Sequence, residues 1–349
     1  MKSSLAFIGL RDIAFARGRF TLITTVIAMM ALMVVALSAL TNGLAGQSVS
    51  GVERLPGAAL VVQQAPDGDA TTLAQSKVDE GVAAGLDTPV LSALGVTSVQ
   101  LAHGDTMVAA TVFGAEPDLF PAADTGALPA DGDVLLPAAA AEELGAEAGD
   151  TVMIGDHSLR VRGIGQAGFF AHTPVVYTTL ETWRSLNSGD DLSAIITTDV
   201  PAAAPAGTTV VPMADSVTLV PGFSAENGSL RAMQAMLLVI SALVVGAFFA
   251  VWTAQRQRDL AVVRAMGGTR AYLLRDGLIQ ALIVLAAGQM VGAALGIALA
   301  AAASAVVPIE LSFAAVVAPV AGMTILGLVG AAFAIRKVTT VDPLVALQR

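Results

Sequence analysis

The chain is predicted to be an α-helical membrane protein with four transmembrane helices plus an α+β extracytoplasmic domain inserted between helices 1 and 2. Three observations predict this class. Four long apolar stretches carry no charge, one long polar segment follows the first of them, and charge is distributed very unequally between that segment and the rest. Each stretch reaches the roughly 20 residues that a helix needs to cross about 30 Å of hydrocarbon. A mean hydropathy of +0.74 and 55% hydrophobic residues fit a membrane protein, and 349 residues leave room for one folded domain beside a bundle.

Residues 1–19 are expected to form a cytoplasmic amphipathic helix, because Leu5, Ile8, Ile13 and Phe15 mix with Arg11, Arg17 and Arg19. The first span is 20–44, and the chain stays uncharged to Val52, so its helix is expected to continue past the bilayer. A cleaved signal peptide with small residues near Ala45 is the alternative. The long apolar run and the 19 residues before it favour a retained span. The extracytoplasmic domain is 45–231. Alternating runs at 58–63, 106–113, 151–154 and 158–161 predict strands, 137–144 a helix, and 145–150 a turn. The second span, 232–253, leads into a cytoplasmic loop at 254–275. The third span is 277–303 and the outer loop 304–312. The fourth span is 313–335, and a cytoplasmic segment covers 336–349. Gly288, Gly292 and Gly296 lie on one face of the third span and predict close helix packing within the subunit. Trp252 and Tyr272 are placed at headgroup level.

Charge sets the orientation. The N-terminal end, the 254–275 loop and the tail carry 12 cations against Asp12, Asp259, Asp276 and Asp342, a net +8, whereas 45–231 has a net charge of −17. The positive-inside rule then places both termini in the cytoplasm and the large domain outside, in a plasma (inner) membrane. The acidic pI of 4.7 belongs to the outer domain and predicts no nucleic-acid partner. The chain has no cysteine, which excludes disulfides, thiolate metal sites and a thiol nucleophile. His103, His157 and His172 lack ligand spacing, and no catalytic triad or metal cluster stands out.

The 254–275 loop carries the functional inference. Leu260, Val262, Val263 and Met266 form an apolar stripe at helical spacing, and Gly267–Gly268 offers the left-handed cap that ends a helix. A short helix along the inner membrane face suits docking of a partner, although a plain interfacial anchor would have the same pattern. The run from Arg258 through Asp259, Leu260, Ala261, Val262, Val263, Arg264, Ala265 and Met266 to Gly267 resembles the coupling-helix signature of the MacB/FtsX-type (type VII) ABC transporter permeases. Asp259 stands for the usual Glu and Ala261 for the usual Gly. The tail, Arg336-Lys337 followed by Asp342-Pro343-Leu344-Val345-Ala346-Leu347, is similar to the family's basic stop and its Asp-Pro segment. Val134-Leu135-Leu136-Pro137, Leu144-Gly145, Gly149-Asp150-Thr151-Val152 and Val161-Arg162-Gly163-Ile164 resemble its periplasmic core.

The resemblance implies a homodimeric permease working with two copies of a separate ABC ATPase subunit, by mechanotransmission and without an alternating-access pore. Arg258, Asp259, Leu260, Val263, Arg264, Met266 and Gly267 would couple to that ATPase. No phosphate-loop motif occurs in the chain, so ATP would bind only the partner and the permease itself would be no enzyme. A stand-alone permease with four spans and a compact outer domain resembles the haem-exporter branch in particular. Haem is then the expected substrate, with no tightly bound cofactor and no metal apart from haem iron. Methionines supply the candidate site. Met29 and Glu226 are the leading ligand candidates, Met30, Met33 and Met233 would line the pocket, and Arg231 would pair with a propionate. The competing reading is that methionine fills irregular gaps between helices. Alternatives to haem are another amphiphile or peptide antibiotic, lipoprotein release, or a non-transporting FtsX-like activator of an extracytoplasmic hydrolase.

Overall fold

The computed structural model of the protein describes residues 17–66, 68–187, 189–255, 262, 266–267, 269–304 and 307–339. Most of the 1–19 segment, the coupling positions Arg258, Asp259, Leu260, Val263 and Arg264, and the tail from 340 onward lie outside the described residues. Those described include six α-helices: α1 (Arg17–Glu53), α2 (Ala138–Leu144), α3 (Leu180–Leu186), α4 (Phe223–Gln255), α5 (Arg270–Ala303) and α6 (Phe313–Thr339). The chain divides into two compact units, one of residues 1–43 with 228–349 and one of residues 44–227.

The first unit is helical. Within α1, α4, α5 and α6, the segments Phe20–Glu53, Phe223–Gln255, Ala271–Ala303 and Phe313–Arg336 are long and apolar enough to cross a membrane. At 1.5 Å per residue, the 37 residues of α1 reach about 55 Å, well beyond a hydrocarbon core. Phe20, Ile27, Ala31, Val245, Phe249, Trp252, Leu285 and Met323 form the buried core of the bundle. Small residues bring the helices together. A Cβ on Gly288 would meet Ile27 and the Thr24 carbonyl, one on Gly292 would meet Ala28 and Ala31, and one on Gly296 would meet Val35. The glycine stripe of α5 therefore seats α1 within the same chain, as the spacing predicts. Gly330 of α6 lies as close against Ala242 of α4. The Thr324 hydroxyl donates to Gln289 Oε1 at 2.7 Å and so joins α6 to α5. Trp252 differs from expectation. It is buried against Phe20, with centroids 4.7 Å apart, and stacks on Phe248, so its ring fills the bundle core.

The second unit is more strand-rich than the expected α+β domain. Its sheet comprises β1 (Ala59–Gln63), β2 (Val90–His103), β3 (Thr106–Ala115), β4 (Ala123–Gly126), β5 (Asp133–Pro137), β6 (Thr151–Ile154), β7 (His157–Gly165), β8 (Phe169–Phe170), β9 (Thr173–Thr179), β10 (Ala194–Thr197) and β11 (Thr208–Pro212). The main path runs β11-β1-β10-β2-β3-β9-β5-β7-β4. β6 pairs with both β7 and the far end of β2, through Leu101 and Ala102 opposite Ile154 and Met153. The strands β2, β3, β9, β5, β7 and β6 thus close a ring, which leaves those six strands fewer open edges. Both α2 and α3 pack on this sheet. Gly145, at φ +62, caps α2 in the left-handed conformation. Trp183 of α3 lies over a cross-strand glycine pair, Gly95 of β2 opposite Gly114 of β3, where any Cβ would collide with the indole. Its Nε1–H donates to Thr97 Oγ1 at 2.9 Å.

Candidate functional site

In the helical unit, the stripe Phe20, Thr21, Thr24, Thr25, Ala28 and Met29 on α1, with Val291 and Leu295 of α5, lines an open groove of about 540 Å³. These α1 positions recur every three or four residues and so share one face. The groove is apolar apart from three threonines. Thr25 returns its hydroxyl hydrogen to the Thr21 carbonyl at 2.9 Å, which satisfies it within the helix. Met29, 54% exposed, presents its thioether in this groove, and Met33 continues the same face one turn on at 53% exposure. Met30 faces elsewhere and packs against the bundle core. On α4, Met233 and Arg231 are exposed. Among the described residues, no charged one lines the groove.

Glu226 belongs to the β-rich unit, in the first turn of α4. Its Oε2 lies 3.0 Å from His172 Nε2, and the same nitrogen is 3.1 Å from Ser48 Oγ near the end of α1. A carboxylate oxygen only accepts, so Nε2 carries the hydrogen. Serine, histidine and glutamate on one ring nitrogen do not make a nucleophilic triad, which needs its carboxylate on Nδ1 and its hydroxyl on Nε2. Sequence reasoning missed His172. It follows Phe169–Phe170–Ala171 with no turn-forming Gly or Asn, so no local signal marks it.

Of the coupling residues, Met266 and Gly267 are described. Met266 is exposed, its N–H donates to the Val262 carbonyl at 3.0 Å, and Gly267 follows at φ +93. Gly267 thus takes the positive φ that favours glycine. Tyr177 lies in the core of the β-rich unit against Phe113 and Phe120, where burial pushes its phenol far above the usual tyrosine range and the Arg54 charge opposes this only in part.

Span-length apolar helices combined with a separate β-rich domain define a membrane protein with a folded domain outside the bilayer. Residues 20–226 match the MacB-like periplasmic core domain and residues 232–343 the FtsX-like permease C-terminal domain. The chain belongs to the MacB/FtsX family of ABC transporter permeases. It is similar to an uncharacterized ABC transporter permease of Mycobacterium tuberculosis, 26% identical over 352 residues that cover 98% of this chain and 99% of that one. It is also similar to a putative hemin transport system permease protein HrtB of Staphylococcus haemolyticus, 24% identical over 355 residues and 97% of each chain. The solved extracellular domain of the noncanonic ABC-type transporter YknZ from Gram-positive bacteria aligns with 41% of this chain and 83% of its own, at 15% identity and a TM-score of 0.32. Permeases of this family are the membrane subunits of ABC transporters and are not themselves ATPases, so membership implies an ATPase partner.

Proposed function

We propose that the protein is the permease of an ATP-driven exporter that moves haem out of the membrane. It would work as a homodimer with two copies of a separate ATPase subunit and transmit force mechanically. The termini and the 254–275 loop would be cytoplasmic and the β-rich domain extracytoplasmic. The observation that carries the substrate reading is the Met29 thioether, exposed in a span-level groove of about 540 Å³. That volume is in the range of small-ligand sites. Thioether sulfur is an iron ligand, and a lipid-facing groove admits a flat amphiphile from the bilayer. The relatives named as hemin transport permeases support the same choice. Met29 is the leading ligand. Glu226 is bonded to His172 beside Ser48, which lies 19 residues or roughly 28 Å along α1 from Met29, too far for the two to share one iron. Met33 and Met233 present exposed thioethers, and Arg231 would pair with a propionate. Coupling would run through Arg258, Asp259, Leu260, Val263, Arg264, Met266 and Gly267.

Haem titration into the purified full-length permease should give a Soret band that Met29→Ala shifts or abolishes. A wild-type spectrum in Met29→Ala would misplace the site. Because the described lining of the groove carries hydroxyls and no charge, a wild type that binds no haem would favour export of an uncharged amphiphile through the same groove.

A further inference from the structure

The β-rich unit contains three hairpins with two-residue loops. The β2–β3 and β6–β7 turns use Gly104-Asp105 and Gly155-Asp156, with glycine at positive φ in the first central position. That is the type II′ pattern, which suits the twist of paired strands. The β8–β9 turn is Ala171-His172, and both residues take positive φ, at +46 and +66. Among the described residues they alone do so without being glycine. Such turns favour Asn-Gly because a Cβ is disfavoured there, so surrounding contacts must hold this backbone in place.

Most of those contacts lie along the last two turns of α1, with Arg54 just past its end. Arg54 Nη1 donates to the Gln166 carbonyl. Gly168 packs against Ser50 and Gly51, where a Cβ would collide with backbone. Phe169 N–H donates to Ser50 Oγ at 3.0 Å, Ala171 N–H to the Ser48 carbonyl at 2.9 Å and His172 N–H to the Gln47 carbonyl at 3.0 Å. As the strap from 166 to 172 advances, its partners step back along the helix from 54 to 47. At its tip, His172 Nε2 reaches both Ser48 Oγ and Glu226 Oε2.

We infer that segment 166–172 is a strap that ties the C-terminal end of α1 to the N-terminal end of α4, with His172 as the positioning residue that sets their separation. α1 and α4 each continue into a span-length segment. A strained tip bonded to both makes their separation a property of the hairpin, and any displacement of one helix along the other must strain or release it. This use of the strap in transport rests on the permease reading; the strap itself does not.

The chain has no cysteine, so a double variant with Glu53→Cys and Ser224→Cys can be spin-labelled cleanly in the full-length permease. The pair should give one narrow distance distribution in nanodiscs. His172→Asn, which keeps the left-handed backbone preference but shortens the side chain, and Glu226→Ala should each add a longer, broader component. Glu226→Gln, which keeps an acceptor at the same place, should restore the narrow distribution, and that rescue separates positioning from simple misfolding. Unchanged distributions in both His172→Asn and Glu226→Ala would overturn the strap. Because the measurement uses the permease alone, a strap that behaves as expected while no nucleotide-hydrolysing partner co-purifies would sink the permease coupling and leave the strap standing.

Discussion

Gly95 and Gly114 show how one side chain can dictate two others. Trp183 occupies the space where their Cβ atoms would stand, so Gly95→Ala or Gly114→Ala must push the indole off Thr97. Overpacking of this kind costs about 1–3 kcal/mol. The expected outcome is a lower urea midpoint of the β-rich unit, followed by Trp183 fluorescence in a Trp252→Phe background. Tyr177 gives a pH signature. Burial disfavours its phenolate, so the folded state holds the proton more tightly than the unfolded state does. Its contribution is complete below the ordinary tyrosine value of about 10 and is lost as pH rises above it. Stability should therefore fall above about pH 10 more steeply in wild type than in Tyr177→Phe, which keeps the ring but cannot ionise. Neither residue role was legible beforehand. A glycine pair 19 positions apart becomes a seat only when β2 and β3 align, and Tyr177 carries no mark of burial in its local pattern.

At the scale of elements, the sequence signals fared according to how local their physics is. The runs at 58–63, 106–113 and 151–154 became β1, β3 and β6, and the helix ending at Gly145 became α2, because alternation and capping are settled within a few residues. The glycine stripe of α5 was readable for the same reason, since a four-residue spacing fixes a helix face without reference to the partner. What it met, the Thr24 to Val35 face of α1, needed the fold. Gly292→Leu should separate these two helices and lower the thermal midpoint of the detergent-solubilised protein, with a loss of about 1–3 kcal/mol for forced overpacking. Met290→Leu, at an exposed neighbouring position, should leave the midpoint unchanged. The methionines show the limit of pattern reading. Met29 and Met33 share the expected face and Met30 turns into the core, but the groove beside Met29 depends on Val291 and Leu295, which are distant in sequence. The strap was not legible at all, since its α1 partners lie more than a hundred residues away.

For the whole molecule, the separation of charge makes a prediction that needs no substrate. With +8 on one set of segments and −17 on the other, cysteines at Asp156→Cys and Arg270→Cys should react with an impermeant maleimide from opposite sides of the membrane, the first from outside. Labelling of both from one side would show that the number of crossings between them is not odd. Composition, span count and family motifs were legible from the sequence, the spans because hydrocarbon thickness imposes their length directly. The ring of six strands was not, because closure depends on two residues at one end of β2 meeting β6 some fifty positions later.

That closure has a consequence for the order in which the chain is made. The β2–β3 hairpin has a two-residue turn and can form as soon as it is synthesised, but Leu101 and Ala102 must wait for Met153 and Ile154, and Val90–Leu94 for Ala194–Thr197. Long-range pairings form slowly, and an unpaired strand edge invites pairing with other chains. A 14-residue strand therefore emerges with one side satisfied and the other bare, in two stretches that are covered at different times. During biogenesis, β2 is the strand for which delayed synthesis or an early stop in translation leaves the largest adhesive edge.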